Sequence, residues 1–417
     1  MHDLPSQQPN TAGHELSLLH LFIIFFQLGC TAFGGPAAHL VIFYQYFVQH
    51  KKWLSEQQYA YLLSLAQVLP GPSSSQLGIS IGYTLKGYWG GAAAWLGFTL
   101  PSVLLMTLTA VLGIQVFDAL DPAFFHVIQL LVLSVAAWAF WQMMQSFCQN
   151  IGHYALMLAA ALFVYIVQLP INQILVIVLA ALCGLFFSKK PALDQEKNTQ
   201  YKSPENPAAL QKSNHTRWAF IWLILFALPF LYFALFDTES SPLLYAVESF
   251  YRTSSLVFGG GHIILPFLHQ DFVSNGMLSG ASFNAGYAFA QLMPGPLFSF
   301  ASYIGALLPM TPSLTLNAAI SAIAIFLPSF LLLYGLLPYW AKLMQSQLLF
   351  KAVSTINAAV TGLLLCLIVQ MGEKYIVQWL DWLFTAAVIL LLKSKLPVWL
   401  SLIASGAAYY SLLHALN

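Results

Sequence analysis

Two kinds of helix-breaking tripeptide recur in this chain, each where polar backbone can meet a solute. Gly34-Gly35-Pro36 and Gly259-Gly260-Gly261 fall inside apolar stretches, as do Pro70-Gly71-Pro72 and Pro294-Gly295-Pro296. Glycine disrupts a helix by backbone entropy, proline by a missing donor and a steric clash. A helix resuming after Pro72 has unpaired N–H groups and a partial positive dipole end, a favourable setting for an anion. Proline suits its first turn, and Ser73, Ser74, Ser75 and Gln76 add hydroxyl and amide donors. In the second copy Leu297 and Phe298 stand in place of serines and Ser299 is the nearest hydroxyl, so the two are not equivalent. A Pro-Gly-Pro can also be a plain packing kink. Its double occurrence, beside two glycine breaks, favours a site.

Arg252 is the sharpest single residue. It and Arg217 are the chain's two arginines, and it lies about nine residues into an apolar segment. A charge at a helix centre in lipid costs at least about 2.5 kcal/mol, so it pairs or serves a pathway. Guanidinium offers a planar fork of donors suited to a tetrahedral dianion. Glu248, four residues earlier on the same face, offers an ion pair instead, and snorkelling to the interface is a third option. The repeat-equivalent position holds Gln27. His39 and His262 follow the glycine breaks; each can hold an anion when protonated, carry a coupling proton, or cap broken backbone as a neutral ring. Gln67, Asn284 and Gln291 flank the breaks and can satisfy loose carbonyls. Asn317, Asn357 and Thr361 can hydrogen-bond between helices. Glu15, Glu56, Asp118, Asp121, Asp271, Glu373 and Asp381 read as segment-end charges.

The elements that hold these residues must be membrane helices. Of 417 residues 59% are hydrophobic and 7% charged, with a mean hydropathy of +0.74, against about a quarter charged in a soluble domain. The net charge of +1 and the lack of a long basic run give no reason to expect nucleic acid. Cys30, Cys148, Cys183 and Cys366 lie in apolar stretches without metal-ligand spacing and read as packing residues. The first sixteen residues lack the Lys or Arg of a signal peptide. With about 20 apolar residues per span, segments fall near 17–48, 57–83, 88–116, 123–147, 152–169 and 171–188. A polar cytoplasmic linker follows at 189–216, then a linking segment at 217–236. Six more lie near 243–270, 282–308, 313–338, 350–371, 375–392 and 396–415. The expected fold is an all-α polytopic membrane protein of about 13 segments. Its units are 1–188 and 237–417, joined through the linker and the extra segment.

The two units are copies. Phe33-Gly34-Gly35-Pro36 matches Phe258-Gly259-Gly260-Gly261, and Phe47-Val48 matches Phe272-Val273, both 225 positions apart. The Pro-Gly-Pro motifs lie 224 apart, and Leu100-Pro101-Ser102 matches Leu327-Pro328-Ser329 at 227. Six segments plus one bring the second unit in from the opposite face, so the repeats are inverted, with a substrate site between them near the midplane. Unwound backbone at membrane depth survives only where it is buried in protein or lines a wet cavity. With the linker inside, eleven basic residues lie inside and three, Lys51, Lys52 and Lys374, outside. That obeys the positive-inside rule, with the N-terminus inside and the C-terminus outside. Lys51-Lys52 is the discordant pair, and a re-entrant path through 17–48 would move it.

There is no phosphate-binding glycine loop followed by Lys and Ser, no His-Glu-x-x-His and no pair of intramembrane aspartates. A carrier without cofactor or metal is therefore expected, and an intramembrane enzyme is the rival class. Thr31 to His39, Leu69-Pro70-Gly71-Pro72, Phe258 to His262 and Met293-Pro294-Gly295-Pro296 together resemble the long, two-unit members of the chromate ion transporter family. The resemblance covers almost the whole chain. It implies export of chromate across the bacterial inner membrane, hence chromate resistance, by an ion-driven carrier, with sulfate as the structural analogue. It carries over Gly34, Gly35, Pro36, His39, Pro70, Gly71 and Pro72 in one unit. In the other it carries over Gly259, Gly260, Gly261, His262, Pro294, Gly295 and Pro296. Members often carry a basic residue where this chain has Gln27. The expected partners are a chromate- or sulfate-like oxyanion, a coupling proton or counter-ion, and lipid; a homodimer and a sulfate-type uptake carrier stay open.

Overall fold

The computed structural model describes residues 16–33, 35–116, 121–167, 171–187, 216–238, 240–258, 261–394 and 396–416. All regular structure among them is helical. The first unit comprises α1 (Leu18–Thr31), α2 (Gly35–Phe43, extended by a π-helical stretch Tyr44–His50), α3 (Glu56–Val68), α4 (Ser73–Val116), α5 (Pro122–Phe147), α6 (Ile151–Ile166) and α7 (Asn172–Phe187). The single helix α8 (Thr216–Leu235) links it to the second. That unit holds α9 (Pro242–Leu256), α10 (Ile264–Leu268, between a 3-10 turn Gly261–Ile263 and a π-helical stretch His269–Ser274), α11 (Gly280–Leu292) and α12 (Phe300–Leu307, after a 3-10 turn Leu297–Ser299). Then come α13 (Leu314–Leu336), α14 (Gln347–Tyr375), α15 (Trp379–Lys393) and α16 (Val398–Leu416). Matching helices begin 224 to 229 positions apart, so the duplication read from four motifs extends to the helices. Even the caps repeat: Ser55 and Ser279 start α3 and α11, Asp121 and Ser346 start α5 and α14. The linker 189–216 lies outside the described residues, save Thr216.

Four of the expected spans are not single helices. Segments 17–48, 57–83, 243–270 and 282–308 each contain two half-length helices folded back on each other at the break. Phe25 of α1 stacks on Phe47 at 5.2 Å, and their equivalents Phe250 and Phe272 lie 5.0 Å apart. Tyr245, near the start of α9, receives a hydrogen bond of 2.6 Å from Asn275, just past the end of that hairpin. Phe283 of α11 meets Phe300 of α12 at 5.1 Å, and Tyr303 Oη donates to the Ser282 carbonyl at 3.0 Å. In the remaining case Tyr59, Leu62 and Ala66 of α3 share a core with Leu77 and Ile81 of α4. A helix of 13 residues, as α3 and α11 are, rises about 20 Å, short of the ~30 Å hydrocarbon layer. The breaks are therefore the apices of helical hairpins. After the second hairpin the chain leaves helical geometry at Lys86 and Gly87, so α4 is two helices running together.

Six helices among the described residues are long and apolar enough to cross a membrane. α14 sits at the centre, packed on α5, α6 and α7, while α8 turns Phe220, Leu228 and Leu231 outward. Glycines let α1 and α4 touch backbone to backbone: a Cβ on Gly29 would lie 2.5 Å from the Phe98 carbonyl oxygen. Two carboxylates read as segment-end charges are also buried, Asp381 in the capped first turn of α15 and Asp271 in the π-helical stretch after α10. Asp381 accepts from the Val377 and Gln378 amides and from Tyr409, and meets His126 at 2.9 Å; Asp271 pairs with Arg252. A buried carboxylate needs such partners, and periodicity cannot show them. Glu15 and Asp118 lie outside the described residues.

Candidate functional site

The four apices close on one another across the two units. The Gly71 amide donates to the Val257 carbonyl at 2.7 Å, and the Gly295 amide donates to the Ala32 carbonyl at 2.9 Å. Val257 and Ala32 are repeat equivalents just before the two glycine breaks. Each Pro-Gly-Pro apex thus binds the glycine apex of the other copy, and the two bonds are images of each other. The side chains repeat the exchange. A Cβ on Gly71 would sit 2.5 Å from Ser329 Oγ, and one on Gly295 would sit 2.8 Å from Ser102. Ser102 and Ser329 belong to the repeated Leu-Pro-Ser motif. Both apical glycines have positive φ, +119° and +106°, which a side chain would strain. Glycine is needed there twice over, for conformation and for room. Gln76 Nε2 completes the first apex, donating to the Pro70 carbonyl at 2.6 Å and to Ser329 Oγ at 3.4 Å.

Two cavities open against this junction. One of about 620 Å³ is lined by Pro36, Gln67, Gly71 and Ser73 on the apex side and by Ser354 and Asn357 of α14 opposite. A second, about 310 Å³, is lined by Gly35, Pro36, Gly261, His262 and Gln291, with Ser146 shared between the two. The start of α2 faces both cavities and the start of α4 faces the first, so unpaired helix N–H groups and positive dipole ends point at solute-sized space. Among the described residues lining either cavity there is no lysine or arginine. The charge of a bound anion would be met by N–H and O–H donors.

The expected site residues divide. Gly35, Pro36, Gly71, Ser73, Gly261 and His262 line the cavities. Gly34, Gly259 and Gly260 lie outside the described residues. Ser74 and Ser75 are buried behind Ser73, and Ser299 Oγ turns back to the Pro296 carbonyl at 2.8 Å. His39 is fully buried, its Nε2 3.0 Å from the Ala32 carbonyl. A carbonyl only accepts, so Nε2 carries the proton and the ring caps the first break. His262 Nδ1 meets Tyr287 Oη at 2.6 Å. Arg252 Nη2 lies 3.2 Å from both oxygens of Asp271, and Nε lies 3.7 Å from Glu248. The Glu248 pair was legible at four-residue spacing; Asp271, nineteen residues on, was not. Asn284 bonds Tyr375 between helices at 2.8 Å. Asn317 instead caps local backbone, at the Leu308 and Thr311 carbonyls. Asn357, expected to bridge helices, has a buried side-chain oxygen without a partner. Its cavity-facing role shows in sequence only as the stripe Phe350, Val353, Ser354, Asn357, one face of α14.

The model for chromate transporters matches residues 19–185 and 244–410, the two units found above. The chain belongs to the chromate transporter family. A chromate transport protein of Cupriavidus metallidurans is 26% identical over 414 residues, covering 95% of this chain and 94% of its own. A probable chromate transport protein of Synechococcus elongatus is 27% identical, covering 86% and 85%. A protein of Methanocaldococcus jannaschii named only as an uncharacterised transporter is 25% identical, covering 89% and 88%. No solved structure matches. With six long apolar helices, this family member is a multi-pass membrane protein, and the family's function is chromate transport.

Proposed function

We propose that the protein is a secondary carrier exporting chromate, or a closely related tetrahedral dianion, across the bacterial inner membrane by alternating access. The reciprocal closure of the apices carries this reading: Gly71 on Val257 and Gly295 on Ala32, beside a cavity of mixed polar and apolar lining at helix N-termini. The anion sits against Gly35, Pro36, Gly71 and Ser73, held by the free N–H groups at the starts of α2 and α4 and by hydroxyls, while Pro36, which has no N–H, and Gly71, whose N–H is bonded to Val257, shape the wall. Pro70, Pro72, Pro294, Pro296 and Gly295 shape the apices, His39 caps one of them, and Arg252 acts through its carboxylate partners rather than on the substrate. One unit rocks against the other about the junction.

Parity supports inversion of the units. With the hairpins re-entrant, five crossings separate the two sets: the second half of α4, then α5, α6, α7 and α8. Counting each hairpin as a span makes seven, and both numbers are odd. The re-entrant path also removes the discordant charges, because Lys51, Lys52 and Lys86 all return to the side of the N-terminus. Thirteen basic residues then lie inside and Lys374 alone outside, with Arg252 in the hairpin. That supports a cytoplasmic N-terminus and linker and an external C-terminus.

Cells expressing the protein should accumulate less labelled chromate than control cells. Greater accumulation would overturn export. Sealed vesicles under imposed pH gradients, with sulfate competing, identify the coupling ion and the preferred anion.

A further inference from the structure

We propose that Asn357, outside every glycine and proline motif, is a direct ligand of the transported anion and makes the inner cavity the high-affinity side of the carrier. The inference rests on the anion reading above and names a residue that completes its site.

Three observations carry it. Asn357 is 7% exposed, its Oδ1 is buried without a hydrogen-bond partner, and its residue lines the 620 Å³ cavity opposite Gly71 and Ser73. Folded proteins rarely leave such an oxygen unpaired, so the amide is not held in place by the fold alone and calls for a role at the cavity it lines. Second, Asn357 reaches the cavity on a defined helix face. Phe350, Val353, Ser354 and Asn357 follow each other at the spacing of one side of α14, so Ser354 and Asn357 form two polar steps about one turn apart. Thr361, the next residue on that face, spends its hydroxyl on the Asn357 carbonyl of its own helix at 2.8 Å. The polar steps end at Asn357.

Third, the repeat supplies an internal control. A cavity of about 400 Å³ lies where exchange of the units would put the partner of the first, with Gln291 for Gln67, Leu292 for Val68 and Ile128 for Val353. The residue equivalent to Asn357 is Val132, and it lines that cavity. One cavity presents an amide to the anion and the other a valine. In the orientation argued above, α14 begins and α5 ends on the cytoplasmic side, so the amide cavity opens inward. The anion is gripped where it must be captured and loosely held where it must leave. Oδ1 only accepts, so the group offered to an oxyanion is the Nδ2 donor of the same amide, and the pairing needs no fixed positive charge.

The test uses full-length protein in sealed inside-out and right-side-out vesicles, with initial rates of chromate uptake. From the cytoplasmic face, N357A should raise the half-saturating concentration about tenfold with the maximal rate within a few-fold, and N357D should abolish saturable uptake. From the external face, N357A should change little. Equal half-saturation for wild type and N357A on the cytoplasmic face would overturn the proposal. Uptake by N357D at the wild-type rate would do the same. If wild type takes up no chromate, the anion reading itself falls; if wild type saturates and the variants match it, only Asn357 is dismissed. Should the variants fail to fold, S354C in a background without the native cysteines gives a second readout. Chromate should protect that thiol from a polar reagent applied to the cytoplasmic face, and absence of protection overturns the assignment.

Discussion

Replacing Arg252 by glutamine strands a buried carboxylate. Arg252 Nη2 is 3.2 Å from both oxygens of Asp271, which is 6% exposed, and Nε is 3.7 Å from Glu248. Breaking a buried pair by deleting one partner costs about 3–5 kcal/mol, because the other charge is left uncompensated. The contact to Glu248 adds at most about 0.5 kcal/mol, as expected for a partly solvated pair one helical turn apart. The pair also joins α9 to the far end of its own hairpin, where Asn275 bonds Tyr245, so the strain falls on the hairpin whose apex holds Gly71. R252Q should therefore melt well below wild type and lose most chromate uptake. D271N alone should cost less, about 1–3 kcal/mol for the lost charged hydrogen bonds, since Arg252 keeps Glu248. R252Q/D271N removes both buried charges and should recover most of the stability, a coupling that a double-mutant cycle measures. Melting of the solubilised protein and uptake into vesicles must be read together. If the double variant folds like wild type yet transports nothing, the guanidinium touches the anion and the positional role assigned to it is wrong. If R252Q melts like wild type, the pair carries no stability.

Gly71→Ala places a methyl group at φ +119° and 2.5 Å from Ser329 Oγ. The backbone share of that cost is about 1–3 kcal/mol. S329A should recover part of the loss in the double variant, and no recovery would deny the cross-unit contact. Lys51→Cys and Lys86→Cys should react only with a reagent on the cytoplasmic face, and Lys374→Cys only from outside. Labelling of Lys51→Cys from outside would refute the re-entrant first hairpin.

Much of the fold was legible because lipid leaves a chain few choices. Low charge demanded helices, and four motifs at near-constant spacing revealed the duplication. The breaks were legible too, since Gly-Gly-Pro and Pro-Gly-Pro cannot continue a helix. What they break into was not. Hydropathy reports an apolar stretch of 32 residues identically whether the chain passes through or doubles back. Only the meeting of Phe25 with Phe47 separates the two. The same limit hid Asp271, which looks like a helix-end charge until the hairpin folds it beside Arg252. Pairing between units was equally hidden, because the bond from Gly71 to Val257 spans 186 residues and has no local signature.

The duplicated backbone and the unequal side chains together yield a prediction that neither yields alone. If the two cavities are the inner and outer states of one pathway, residues exchanged between them should exchange affinity. Val132 occupies the position of Asn357 in the 400 Å³ cavity, which Gln291 also lines. V132N should give that face the amide it lacks. A hydrogen bond to a charged group contributes about 1.5–3 kcal/mol, and even the lower figure is a tenfold change in affinity. Half-saturation measured from the external face should fall about tenfold, while the cytoplasmic value stays as in wild type. Net export should slow, because an anion held tightly outside leaves slowly and the return of the empty carrier must wait for it. An equivalent structural disturbance would weaken both faces alike. If V132N leaves the external face unchanged although the protein folds, the apolar cavity is not on the route of the anion, and the equivalence of the two chambers is a relic of duplication without a part in transport.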